Sequence, residues 1–140
     1  MRVAGGAALL VVIALGLLLL APDDSGDAFH AEASAICDAS AAEIDTARGA
    51  ILDTESSDDA AAHFLRTAFV DLSRQRLAAL RALDPPTDDA DDYRRLLDEY
   101  ESVLDRIEAE PETFVRRDPF ADLNPQWDAF GLPACGSRSG

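Results

Sequence analysis

Residues 83–107, LDPPTDDADDYRRLLDEYESVLDRI, decide the fold class. Proline fixes its own φ, lacks an amide donor and pushes the preceding residue out of the helical region, so Asp84-Pro85-Pro86 closes the helix before it. Thr87 or Asp88 then serves as an N-cap, and Asp88, Asp89, Asp91 and Asp92 set carboxylates at the positive end of a new helix. Tyr93, Leu96, Leu97, Tyr100, Val103, Leu104 and Ile107 recur at three- and four-residue intervals, while Arg94, Arg95, Asp98, Glu99, Glu101, Asp105, Arg106 and Glu108 take the other face. One apolar stripe on a helix must be covered by another element. Asp91 with Arg95, and Arg94 with Asp98, are spaced for surface pairs worth about 0.2–0.5 kcal/mol each.

The same periodicity extends to both sides. Upstream, a helix of about residues 59–83 carries Phe64, Leu65, Ala68, Phe69, Leu72, Leu77, Leu80 and Leu83 on a wide apolar face, with Ser57 or Asp58 as its N-cap. An earlier helix starts at Phe29, and Phe29, Ala33, Ile36, Ser40, Ile44, Ala47 and Ile51 form its stripe, with Cys37 beside Ile36. Downstream, Pro111 stops the central helix, and Pro119, Pro125 and Pro133 break up the rest of the chain. A short helix of about residues 125–130 fits there, with Gly131 as its C-cap and Phe120, Trp127 and Phe130 packed over one end of the bundle. No strand-like alternation of useful length appears. The chain therefore predicts an all-α fold: an antiparallel bundle of three long helices plus a short C-terminal helix over residues 29–136, then a disordered tail at 137–140.

The amino terminus sets the compartment. Arg2 precedes an unbroken apolar run over residues 3–21. As a helix it is ~28 Å long, close to the ~30 Å hydrocarbon core of a bilayer. A cut after Ala21 would have Leu19 at −3 and Pro22 just beyond, both poor for a signal peptidase, and a cut after Ala28 lies far from the run. The length favours a retained membrane anchor over residues 1–21, with a cleaved secretory signal as the alternative. Arg2 before the run, and Asp23, Asp24 and Asp27 after it, put the amino terminus in the cytoplasm and the rest outside. Residues 22–28 read as an acidic stalk.

Composition narrows the partners. The net charge is −15, every basic residue is Arg, and there is no Lys. Such a chain is repelled by nucleic acid and anionic head groups. Cys37 and Cys135 are the only cysteines. Outside the membrane an even count reads as a disulfide, and two cysteines allow one intramolecular pairing. In the chain-entropy account, closing a loop of ~100 residues is worth about 4.7 kcal/mol. A redox pair would need close spacing such as Cys-x-x-Cys, which is lacking.

Three segments carry a resemblance. Ala35-Ile36-Cys37-Asp38-Ala39, Leu80-Arg81-Ala82-Leu83-Asp84-Pro85-Pro86 and Gly131-Leu132-Pro133-Ala134-Cys135-Gly136 resemble a loose group of small exported two-cysteine helical proteins of high-GC Gram-positive bacteria. The likeness covers roughly residues 29–136. It implies a single helical domain behind a signal or anchor and supports the pairing of Cys37 with Cys135. It brings no catalytic residues.

Little else points to chemistry. His30 and His63 lack the His-Glu-x-x-His spacing of a zinc site and read as surface or helix-edge residues. Asp23-Asp24-Ser25-Gly26-Asp27 lacks the ligand spacing and closing Glu of a calcium loop, and Asp88–Asp92 is explained by helix capping. Ser34, Ser40, Ser73 and Ser102 have no nucleophile-elbow pattern, and no Gly-rich phosphate loop exists. No cofactor, metal or catalytic residue is therefore assigned. The expected role is a noncatalytic interaction or structural module of the cell envelope, attached to the membrane and meeting an envelope protein. The alternative is a small-ligand or cation-binding protein, with Phe120, Trp127 and Phe130 as the candidate ligand or partner surface.

Overall fold

The computed structural model describes residues 24–136, so the apolar run and the tail lie outside the described residues. Every regular element is helical: α1 (Asp24–Leu52), α2 (Asp58–Phe64), a π turn (Leu65–Phe69), α3 (Val70–Arg81), α4 (Ala90–Ala109) and α5 (Asn124–Phe130). Single 3-10 turns occupy Thr87–Asp89, Pro111–Phe114 and Pro133–Cys135. Among the described residues there is no strand, and no helix is long and apolar enough to cross a membrane.

α1 is described from Asp24, so residues 24–28 of the segment read as a stalk are helical. The first turn is also tied down: His30 Nδ1 lies 2.7 Å from the Gly26 carbonyl oxygen, and its Nε2 lies 3.2 Å from that of Phe130. α2, the π turn and α3 run on without leaving helical backbone angles. Ser57 caps this rod, its hydroxyl accepting from the Ala60 amide at 3.1 Å. The rod ends at Arg81, before Asp84-Pro85-Pro86. The predicted cap at Thr87 or Asp88 is replaced by the 3-10 turn, with no side-chain cap bond.

α4 is the central helix. Tyr93, Leu96, Leu97, Tyr100, Val103, Leu104 and Ile107 are all buried, matching the predicted stripe residue for residue. They meet Val70, Leu77 and Leu80 of α3, Phe29 and Ala33 of α1, and Trp127 and Leu132 from the C-terminal segment. Gly131 ends α5 at φ 87°, a left-handed angle that favours glycine, and a Cβ there would come within 3.2 Å of the His30 ring. The Cys37 and Cys135 sulfurs are 2.02 Å apart, at bonding distance, joining residues 98 apart in sequence.

An arginine seam fixes how α3 and α4 align. Arg74 reaches Asp105 and Glu108, and Arg81 reaches Asp98 and Glu101, at 2.5–3.0 Å. Moving forward along α3 moves backward along α4, so the two are antiparallel. Hydrogen bonds from Arg81 hold the Glu101 carboxyl below its ordinary range. These pairs are largely exposed and each adds little stability. The predicted pairs of Asp91 with Arg95 and Arg94 with Asp98 are not made. Arg94 pairs with Asp91 and Arg95 with Asp92, one turn back at three-residue spacing, which leaves Asp98 to Arg81.

The disulfide and the central helix each give a measurable outcome. Removing the disulfide, as Cys37→Ala with Cys135→Ala, lowers the unfolding free energy by about 2–5 kcal/mol in urea titration; an unchanged midpoint would count against a stabilising bridge. Tyr93 donates its hydroxyl to the Leu80 carbonyl at 2.9 Å, and burial pushes its pKa up to about 12. The unfolded phenol ionises near ~10, so this contribution is intact below pH ~10 and is lost as pH climbs towards 12. Tyr93→Phe makes the fall in melting temperature across that window shallower; an identical fall in both proteins would refute the assignment.

Candidate functional site

Half of α1 leaves the core. Phe29, Ala33, Cys37 and Ser40 are buried, yet beyond Ser40 no residue of this helix is. Ile44, Ala47 and Ile51 continue the stripe in sequence but are only half-covered. Between this stretch and the rod of residues 58–81 lies an open groove of about 420 Å³. Ala41 and Ile44 of α1 face Leu65 and Phe69 of the π turn, Phe120 and Pro119 form one end, and Arg76 of α3 reaches in. Ala134 and Gly136 flank the disulfide at the edge.

The π turn is what presents Leu65 and Phe69 there. Counting back by 3.6 residues from Leu80, Leu77, Ser73 and Val70 would place Arg66 and a position near Ala62 or His63 inward. The turn holds one residue more than an α turn, so the phase slips. Ala62 is buried, as that count allows, but Phe64 is buried and Leu65 half-buried as well, while Arg66 stays exposed. The Thr67 hydroxyl donates to the His63 carbonyl at 2.8 Å, serving an acceptor at the distorted turn. Such turns are rare and recur at functional sites.

Arg76 stands apart in a chain of net charge −15. Arg48, Arg66, Arg74, Arg81, Arg94, Arg95 and Arg116 each pair with a carboxylate. Arg76 has no carboxylate within 4 Å among the described residues. Arg106 and Arg117 also lack an ion pair there, but both are exposed to solvent, whereas Arg76 is half-buried. Its Nε and Nη2 donate to the Tyr100 hydroxyl oxygen, and its guanidinium carbon lies 4.8 Å from the Tyr100 ring centroid. None of the three carboxylates on the rim, Asp38, Asp45 and Asp118, is within ion-pairing distance of Arg76. Asp45 pairs with Arg48, and Asp118 accepts from the Phe120 amide at 2.9 Å and from Asn124 Nδ2 at 3.0 Å.

The aromatic surface expected from sequence is mostly core. Trp127 is 1% exposed, in an edge contact with Tyr100, and Phe120 is 5% exposed. Phe130 is half-buried and stacks on Tyr93 with centroids 5.6 Å apart. The three do not form one surface, because each ring fills a gap over α4. Phe120 alone lines the groove as well. Among the described residues no three His, Cys, Asp or Glu side chains converge to hold a metal, and His63 is exposed.

Sequence reasoning missed Ile44, Leu65, Phe69 and Arg76 as a group. A signal for the π turn was present: the apolar face of residues 59–83 is too wide for one stripe, being two stripes offset by one residue. Arg76 had no signal, since which of many arginines lacks an acid depends on tertiary placement. The chain matches no protein family, no curated protein and no solved structure. Function is therefore argued from the groove.

Deleting Ala68 tests the turn. The variant restores an α-helical ladder and turns residues 58–67 by about 100° against α3. Far-UV dichroism should stay helical, while stability falls by about 1.5–3 kcal/mol as Phe64 leaves the core. Unchanged stability would show that the turn does not set this packing.

Proposed function

We propose that the protein is a noncatalytic binding module on the outer face of the cell membrane, with the groove between α1 and the π turn as its working surface. Residues 3–21 act as a single-pass anchor, the amino terminus lies in the cytoplasm, and the helical domain lies outside. The apolar run, the charges flanking it and the paired cysteines support this placement, as does the likeness to small exported two-cysteine proteins.

One observation carries the assignment of the groove: a cleft with an aliphatic and aromatic wall and a charged rim is bordered by a guanidinium, that of Arg76, with no carboxylate within 4 Å among the described residues. Ligand sites pair a mostly apolar lining with a few fixed polar groups, and this cleft has that make-up. The two histidines give no support to catalysis, since His30 faces two backbone carbonyls and His63 faces solvent.

The reading is tested in cells with the full chain carrying a photo-crosslinking amino acid at Ile44, and separately at the exposed Arg94 on α4. Irradiation should give an adduct of defined mass from Ile44 in the membrane fraction and none from Arg94. No adduct at Ile44, or equal labelling at both positions, would overturn it.

A further inference from the structure

We infer that the groove takes a single-chain carboxylate amphiphile, a fatty-acid anion, with its head group on Arg76 and its chain along the wall formed by Phe69, Leu65 and Ile44. This rests on the groove being the working surface and names its occupant.

The head-group argument is geometric. A guanidinium offers two edges for paired N–H donation: Nε with one Nη, and the two Nη groups together. In Arg76 the Nε–Nη2 edge is spent on the Tyr100 hydroxyl. The Nη1–Nη2 edge keeps a parallel pair of donors, the arrangement that matches a carboxylate in bidentate fashion. Tyr100 is 1% exposed and its hydroxyl holds the guanidinium in place, so little side-chain freedom remains to be lost on binding. Asp38, Asp45 and Asp118 also line the groove; Asp45 is paired with Arg48, and Asp118 accepts from the Phe120 amide and Asn124.

The tail argument is one of size and lining. Ala41, Ile44, Leu65, Phe69 and Phe120 offer aliphatic and aromatic surface, and about 420 Å³ falls within the ~300–1,000 Å³ of small-molecule sites. The α1 wall from Asp38 to Arg48 spans only ~15 Å, under three helical turns. A stable protein interface needs about 1,200 Å² or more of buried surface, which so short a cleft cannot supply alone. The protein's net charge of −15 opposes an approaching anion, but that repulsion is screened beyond about 8 Å at physiological salt, whereas the Arg76 contact is direct.

The test is titration calorimetry of decanoate and decanol into the full chain in nanodiscs, with empty nanodiscs subtracted. Decanoate should bind to one site, and decanol at least tenfold more weakly, a comparison that needs no altered protein. R76Q should weaken decanoate at least tenfold and abolish its advantage over decanol, and I44D should weaken both ligands. No decanoate heat beyond the empty discs, equal affinity for decanol, or full affinity in folded R76Q would each overturn the proposal. A protein-sized adduct from the Ile44 crosslinker would also overturn it while leaving the groove as a binding surface. Loss of that adduct altogether would remove the groove itself.

Discussion

The bond between Cys37 and Cys135 is the constraint on which the arrangement depends. α1 gives the core only its first half, and beyond Ser40 it lies half-covered against the rod of residues 58–81. The C-terminal segment, broken by Pro119, Pro125 and Pro133, has no long helix of its own to hold it. Joining the two stabilises both at once, because Cys37 lies among the last well-buried positions of α1 and Cys135 follows Leu132, which is fully buried beneath it. The loop closed spans 98 residues, so nearly the whole domain loses freedom in the unfolded state. The groove inherits this order, since Asp38, Ala134 and Gly136 at its edge are neighbours of the two cysteines.

α4 was legible in full because one stripe, one partner face and one proline stop all agree. Its seven buried residues were readable at 3.6-residue spacing, as were Ser57 as a cap and Gly131 as a left-handed stop. Where two physical effects use the same residues, sequence did not separate them. Acidic residues before Phe29 suit both a solvated stalk and a helix, and residues 24–28 are helical, with the following His30 in contact with Phe130. Arg94 and Arg95 each have a carboxylate in reach on either side, and Asp98 is claimed from another helix by Arg81. Long-range competition of this kind leaves no periodic trace.

The candidate site was legible only at its margin. Phe120, expected at a ligand surface, does line the groove, while Trp127 and Phe130 serve the core. The rest of the site arises from a slip in helical phase and from an arginine defined by what it lacks. Both are relations between elements, which pattern reading along one element does not reach. The phase slip also accounts for the two offset stripes between Ala60 and Leu80.

The arginine seams decide what the molecule presents to its neighbours. Arg74 and Arg81 are held in the cleft between α3 and α4, each straddling two carboxylates, so even there acid outnumbers base. Across the chain 27 acidic residues face 12 arginines, so the exterior stays acidic after every such pairing. Two copies approaching one another therefore do electrostatic work that grows as they close to within about 8 Å at physiological ionic strength. On a shared surface the domain would space itself out, and the spacing would shrink as salt rises.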